Sequence, residues 1–177
     1  MCIDVSASML ALAPSPKVRA RAEALPFLDG CASVVTVSSG VHWFDQEAFF
    51  AGARRVLRPD GHLVLYEHGM RGVDGWSGEE YRARYPTPPR GDYAGAIEPV
   101  GFTKARAEAF TEPIAMSQRE LVDYLLTQSN TIGPVERGEQ TIESIDEWLV
   151  SHTASLFSDD EVRDVEFWAV IDVWAPA

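Results

Sequence analysis

Polar side chains that could do chemistry end or follow four short runs of this sequence that are predicted as strands. Asp4 ends the first run, Glu23 ends the second, and Ser38 to Trp43 and Glu67 to Gly69 follow the third and fourth. If these runs are strands of an open α/β sheet, their carboxyl ends meet in one crevice, which is where such sheets bind ligands. The sequence therefore predicts a single binding site built from these four places.

His42 lies in the loop that follows the third of these stretches. An imidazole there could accept a proton from a substrate hydroxyl or carboxyl, which would make His42 a catalytic residue. The alternative is that His42 and Trp43 pack within the loop and shape the pocket. His62, His68 and His152 are too dispersed for a metal triad, and none of the common metal, nucleophile or phosphate-binding motifs occurs. We therefore expect no metal site.

The stretch from Ala32 to His68 must supply the elements that position this crevice. A β-branched run over Ser33 to Ser38 predicts a buried strand, and His62 to His68 predicts the next one. Between them, Asp45 is placed to cap an amphipathic helix over Gln46 to Leu57. Its predicted inward face consists of Phe49, Phe50, Ala53, Val56 and Leu57. Two strands joined by so short a helix are most simply parallel.

Several short motifs occur in the order found in class I S-adenosylmethionine-dependent methyltransferases, and the chain resembles the small-molecule branch with a His-Trp-Phe loop. The motifs are Glu23-Ala-Leu-Pro-Phe27, Val34 to Val37, His42-Trp-Phe-Asp45, Arg54 to Gly61 and Leu63-Val-Leu65. The resemblance implies a Rossmann-like α/β sheet, mostly parallel with an antiparallel C-terminal strand. It also implies S-adenosylmethionine as cofactor and a small molecule as methyl acceptor.

The resemblance assigns cofactor contacts to residues near the start of the chain. It implies that Asp4 accepts hydrogen bonds from the ribose hydroxyls, since one carboxylate suits two adjacent donors. Ala22 and Glu23 would border the adenine ring, and Met9 would pack on its other side. Spacing alone leaves two alternatives open: Asp4 as a solvated strand end, and Met9 as a core residue on the inward face of a short helix.

Ser38, Ser39 and Gly40 resemble the loop that faces the amino acid end of the cofactor. Class I methyltransferases also open with a strand and a Gly-x-Gly-x-Gly turn, where a Cβ would collide with the cofactor. The 13 glycines form no such turn. We therefore expect the N-terminal strand and helix to be missing between the strands at Met1 and Ser33, so that either an upstream segment supplies them or the two halves close onto each other. The alternative to an enzyme is a non-catalytic remnant or partner subunit that cannot bind the cofactor alone, and the exposed strand edges predict self-association into a homo-oligomer.

The region from Gly69 to Gly95 is rich in glycine and proline, which predicts a lid or substrate-recognition segment. A capping-box pattern over Ser77 to Glu80 predicts one short helix that carries Tyr81 and Tyr85 as substrate contacts. A surface loop without a role fits the same composition.

The rest of the chain predicts two strands and two helices. The strands run from Lys104 to Ala115 and from Val165 to Trp174. The helices follow a second capping box at Ser117 and the stretch from Thr141, and Gly133-Pro134 is expected to separate them.

The totals indicate one globular domain over residues 1–177, since 46% of the residues are hydrophobic. Fifteen basic and 27 acidic residues give a net charge of −12, which argues against nucleic acid and anionic membranes as partners. Cys2 and Cys31 are isolated thiols, so a reducing cytoplasmic setting is favoured, with a disulfide as the alternative. No apolar stretch of about 18 residues and no charged leader occurs, so we expect neither a membrane span nor export.

Overall fold

The structure is a computed structural model that describes residues 1–73, 76, 78–87, 93–158 and 161–177. These residues form two compact units, each with its own hydrophobic core. The first unit comprises Met1–Glu67, Arg90–Ala109 and Val170–Ala177, and the second comprises His68–Pro89 and Phe110–Ala169.

Two sheets are present in the described residues. Strands β1 (Cys2–Asp4) and β2 (Lys17–Arg19) pair in parallel in the smaller sheet. The larger sheet has the order β3-β4-β6-β5 and contains β3 (Ala32–Ser38), β4 (Leu57–Val73), β5 (Phe102–Ser117) and β6 (Val162–Pro176). This α/β arrangement, mostly parallel with an antiparallel strand, confirms the predicted Rossmann-like fold class. In the described part of the chain β1 and β3 belong to different sheets, at the place where the sequence predicted a gap.

Helix α2 (Gln46–Val56) connects β3 to β4 as the sequence predicted. Asp45 caps it by accepting a hydrogen bond from the backbone nitrogen of Ala48 at 3.2 Å. The predicted inward face is confirmed, because its five apolar side chains are all buried in the first unit. β3 and β4 are parallel, with Ser38 opposite Tyr66.

The start of β4 was predicted wrongly, since the strand begins at Leu57 and not at His62. Ala32 lies opposite Leu57 and Val34 lies opposite His62, so the register shifts by several residues at this point. The Pro59-Asp60-Gly61 segment is accommodated as an irregularity of the ladder, because a proline has no N–H to contribute to it.

The first 25 residues also depart from the prediction in detail. Helix α1 (Ala7–Leu12) is capped by Ser6, whose Oγ accepts a hydrogen bond from the Met9 nitrogen at 3.3 Å. Leu10 is buried, but Met9 is 60% exposed, so its predicted inward position is wrong. A six-residue helix beside a two-stranded sheet has little apolar surface to cover it. The predicted strand that ends at Glu23 is replaced by β2 and a 3₁₀ turn at Ala22–Ala24.

The region predicted to be irregular from Gly69 onward begins later, because β4 continues to Val73. Gly69 lies against Trp168, where a Cβ would come within 3.0 Å of the indole. The absence of a side chain therefore lets the ring approach the strand. Helix α3 (Glu79–Arg84) follows with Gly78 as its N-cap at φ 69°, without a side-chain cap. The predicted cap at Ser77 lies outside the described residues.

Four more helices complete the described chain. They are α4 (Ala94–Ile97), α5 (Gln118–Leu126), α6 (Ser129–Glu136) and α7 (Ile142–Thr153). Gly133-Pro134 was expected to separate the two predicted helices but lies inside α6. An eight-residue helix tolerates the proline because only one internal hydrogen bond is lost there.

The predicted capping box of α5 is confirmed. The Ser117 Oγ accepts a hydrogen bond from the Glu120 nitrogen at 3.3 Å, and the Glu120 carboxylate accepts one from the Ser117 nitrogen at 2.8 Å. We expect Ser117→Ala to lower the free energy of unfolding by about 1 kcal/mol, as measured by urea denaturation. Ser129→Ala is the matched control, because α6 has no side-chain cap. Equal losses in both variants would contradict a capping role.

Candidate functional site

The first unit places two of the predicted crevice residues, Asp4 and Ser38, at the ends of parallel strands. Asp4 is the last residue of β1, and Ser38 is the last residue of β3. Glu67 follows Tyr66, the register partner of Ser38, so it lies at the same end of the β3–β4 pair. These are the carboxyl ends at which ligands bind in open α/β sheets.

The carboxylate of Asp4 is held in a defined orientation at the turn from β1 into α1. Its Oδ1 accepts a hydrogen bond from the Ser6 nitrogen at 2.7 Å, while its main-chain oxygen accepts one from Ala20 at 3.2 Å. Asp4 is partly exposed, so the carboxylate can still reach a ligand. This is the geometry required of a side chain that accepts from hydroxyl groups.

The turn after β3 contains a strained residue that the sequence did not reveal. Ser39 adopts φ 45°, a left-handed conformation that costs a non-glycine residue energy. Its N–H donates to the main-chain oxygen of Tyr66 at 2.9 Å. At Gly40 a Cβ would come no closer than 3.4 Å to Ser38 and Val37, so the protein itself leaves room for a side chain there. Strain of this kind concentrates at ligand-binding turns.

The next residues form a short 3₁₀ turn over Val41–Trp43. Val41 is 2% exposed and anchors the turn in the core, whereas Trp43 is 60% exposed. The His42 and Trp43 rings contact each other with centroids 5.0 Å apart. The turn therefore holds the imidazole against an indole that faces solvent, which suits both predicted roles of this pair.

Glu23 makes contacts that the sequence did not predict. Its Oε1 accepts a hydrogen bond from the Asp45 nitrogen at 3.1 Å, and its Oε2 lies 3.4 Å from Arg21. Hydrogen bonds from its own N–H and from that of Asp45 lower the pKa of Glu23 below its ordinary value. Glu23 thereby links the 3₁₀ turn at Ala22–Ala24 to the start of α2. Its contact with an adenine ring, like that of Ala22, stays a prediction.

Arg55 holds in place the loop that follows this turn. Its guanidinium donates to the main-chain oxygens of Leu25 at 2.8 Å and Phe27 at 2.7 Å, and to the Asp29 carboxylate at 2.7 Å. The helical pattern correctly placed Arg55 away from the core. It could not show that a loop from earlier in the chain lies there.

In the second unit, both predicted substrate contacts are core residues. Tyr81 is 5% exposed and Tyr85 is 2% exposed. The Tyr81 hydroxyl donates to Asn130 Oδ1 at 3.2 Å, and Asn130 Nδ2 donates to the main-chain oxygen of Tyr85 at 2.6 Å. Burial raises the pKa of Tyr81 above its ordinary value. These contacts give both tyrosines a packing role, and contact with a substrate stays a prediction.

The second unit also has a cavity of about 410 Å³ that the sequence did not predict. Its lining includes Arg71, Trp76, Thr111, Asp164 and Glu166, with Arg71 Nε 3.4 Å from Glu166. Asp164 and Glu166, two acidic residues at alternate positions near the start of β6, are the sequence feature that could have indicated this cavity.

Neither a cluster of metal ligands nor a membrane-spanning helix occurs in the described residues. No group of three or more histidine, cysteine, aspartate or glutamate side chains there is arranged to hold a metal ion. In the same residues, no helix combines the length and the apolar composition that a membrane crossing requires.

Comparison with known proteins finds similarity to methyltransferases. Residues 1–65 match the family model described as a methyltransferase domain. A Dictyostelium discoideum protein provisionally named as a methyltransferase is 22% identical over 160 residues, which are 82% of this chain and 60% of that protein. The chain therefore spans about 60% of the length of this curated relative.

Two solved structures share the fold across almost the whole chain. A provisionally assigned type II methyltransferase from Anaeromyxobacter dehalogenans has a TM-score of 0.64 at 21% identity, covering 98% of this chain and 78% of its own. A provisionally assigned methyltransferase from Bacillus halodurans C-125 has a TM-score of 0.54 at 16% identity, covering 99% and 91%. The chain thus shares the fold of these methyltransferase structures, which is the fold that the resemblance seen in its sequence predicted.

Proposed function

We propose that this chain binds S-adenosylmethionine and transfers its methyl group to a small-molecule acceptor in the cytoplasm. The supporting observation is that the methyltransferase-domain match over residues 1–65 contains every cofactor contact predicted from the sequence. These residues are Asp4, Met9, Ala22, Glu23, Ser38, Ser39 and Gly40.

The donor set of the first unit fits such a cofactor. The oriented Asp4 carboxylate suits the two ribose hydroxyls, and the strained turn at Ser39 follows the end of β3, where the amino acid end would lie. Met9 is exposed, so its flexible thioether is free to cover an aromatic ring. When bound, the cofactor supplies an electrophilic methyl group, and the residues of the chain hold, orient and shield the reactants.

His42 has two roles consistent with this proposal. It accepts a proton if the acceptor is a hydroxyl compound, whereas a carboxylate acceptor needs no base. In the second case His42 and Trp43 form one wall of the pocket through their ring contact.

The second candidate function is that of a non-catalytic remnant or partner subunit. It is favoured by the lack of a Gly-x-Gly-x-Gly turn in the 177 residues and by the separation of β1 from β3 into different sheets in the described residues. Such a protein would keep the fold but could not hold the cofactor by itself.

Calorimetric titration of the purified chain with S-adenosylhomocysteine separates the two functions. The proposed enzyme should bind this product with micromolar affinity, because the proposed ribose and amino acid contacts belong to one unit. Adenosine is the control ligand, and it should bind more weakly since it lacks the amino acid end. Absence of binding at millimolar S-adenosylhomocysteine would support the non-catalytic alternative.

A further inference from the structure

The outer edge of β5 is a long exposed surface that the proposed function does not use. β5 is the last strand of the larger sheet, and each residue from Thr103 to Ala115 is exposed. Within the part of the chain that the structure describes, no strand pairs with this outer side. An edge strand of such length presents backbone donors and acceptors to any extended segment of matching pattern.

The side chains of β5 form a self-complementary pattern. Basic residues come first, at Lys104 and Arg106, and acidic residues follow at Glu108 and Glu112. All four lie on one face of the strand because their positions differ by even numbers. The chain as a whole carries a net charge of −12, yet this segment contains two charges of each sign. Lys104 Nζ already lies 3.1 Å from the Asp172 carboxylate of the same chain, so Arg106 and Glu108 are the neighbouring opposite charges that this edge offers to a second copy.

We propose that β5 pairs in antiparallel fashion with β5 of a second copy, about a twofold axis at Ala107. In this register Arg106 lies opposite Glu108 of the second copy, and the symmetry creates this pair twice. On the other face, Ala105 lies opposite Ala109, so only small side chains meet there. The ladder ends where Pro113 would lie opposite Gly101, since proline cannot donate to it.

Electrostatics decides the orientation of the two strands. The side chains of Arg106 and Glu108 are 68% and 48% exposed, so both charged groups are within reach of a second copy. They also form an ion pair with each other within their own strand. A parallel pairing in register would place Arg106 opposite Arg106 and Glu108 opposite Glu108, and like charges directly opposite are destabilising. The antiparallel pairing is also isologous, so it closes at two copies and forms no filament.

Charge reversal tests this interface by sedimentation velocity over a wide range of protein concentration. The unmodified chain should form dimers. Arg106→Glu and Glu108→Arg should each weaken dimerisation by about tenfold, because each substitution makes both symmetric pairs repulsive. The double variant R106E/E108R should restore the dimer, since it reverses both pairs and keeps the net charge. Glu147→Arg, an exposed reversal on α7, should leave the dimer unchanged.

Three results would overturn the proposal. They are a monomer at all concentrations for the unmodified chain, a dimer that neither single reversal weakens, and a double variant as weak as the singles. Circular dichroism verifies that each variant is folded. Because the readout is mass and not ligand binding, failure of this interface is distinguishable from failure of the proposed methyltransferase function.

Discussion

Asp4→Asn should weaken S-adenosylhomocysteine binding by about tenfold to a hundredfold, which is the range expected when a charged hydrogen-bond acceptor is lost. Asparagine keeps one oxygen to accept from the Ser6 nitrogen, so the turn from β1 into α1 should survive. It replaces the second oxygen with an amide that donates, and two ribose hydroxyls would then meet a donor. The dissociation constant from titration calorimetry measures this effect.

The matched control for Asp4 is Asp60→Asn, which removes the same charge from an exposed position at the start of β4. It should leave the affinity unchanged. The thermal unfolding midpoint of both variants should equal that of the unmodified chain. An unchanged affinity in Asp4→Asn would remove Asp4 from the cofactor site, and a large drop in its melting temperature would assign it a structural role.

Phe50→Ala should lower the free energy of unfolding by about 3–5 kcal/mol, which is the range for removing a buried aromatic ring. Phe50 is fully buried in the core of the first unit, together with Leu63, Leu65 and Trp174. Its ring centroid is 5.2 Å from that of Phe49, so the substitution removes an aromatic contact as well as volume. Small domains have a total stability of only about 5–15 kcal/mol, so the variant should be close to unfolding at room temperature.

Urea denaturation followed by tryptophan fluorescence measures this loss. Leu28→Ala is the control, because Leu28 is 81% exposed and its truncation should change the stability by less than about 0.5 kcal/mol. A loss at Phe50 as small as that at Leu28 would show that the core of the first unit does not hold this part of the chain together.

Local sequence signals predicted the elements around the site well. The capping residues Asp45 and Ser117 act on backbone atoms three residues away, so their pattern is complete within a short window. The apolar spacing of α2 likewise predicts which face of the helix is buried, without specifying the element that covers it. Element boundaries were less certain, as the early start of β4 and the proline inside α6 show.

Long-range partners of the site residues could not be predicted in the same way. Glu23 binds the Asp45 nitrogen and Arg55 binds the loop around Leu25, and both contacts join segments more than 20 residues apart. The exposure of Met9 and the burial of Tyr81 and Tyr85 depended on which surfaces were covered by other elements. The positive φ of Ser39 is set by the bond of its N–H to β4 and has no residue-type signal.

The sequence by itself determined the α/β class, the β3–α2–β4 unit and the positions of Asp4 and Ser38 at strand ends, because these follow from hydrophobic period and capping chemistry within the chain. Only the tertiary structure decided which polar groups form hydrogen bonds within the protein, which aromatic residues are buried and which strand remains at the edge of the sheet. The physical reason is that burial and strand pairing depend on segments distant in sequence, and their positions are settled only when the whole core is packed.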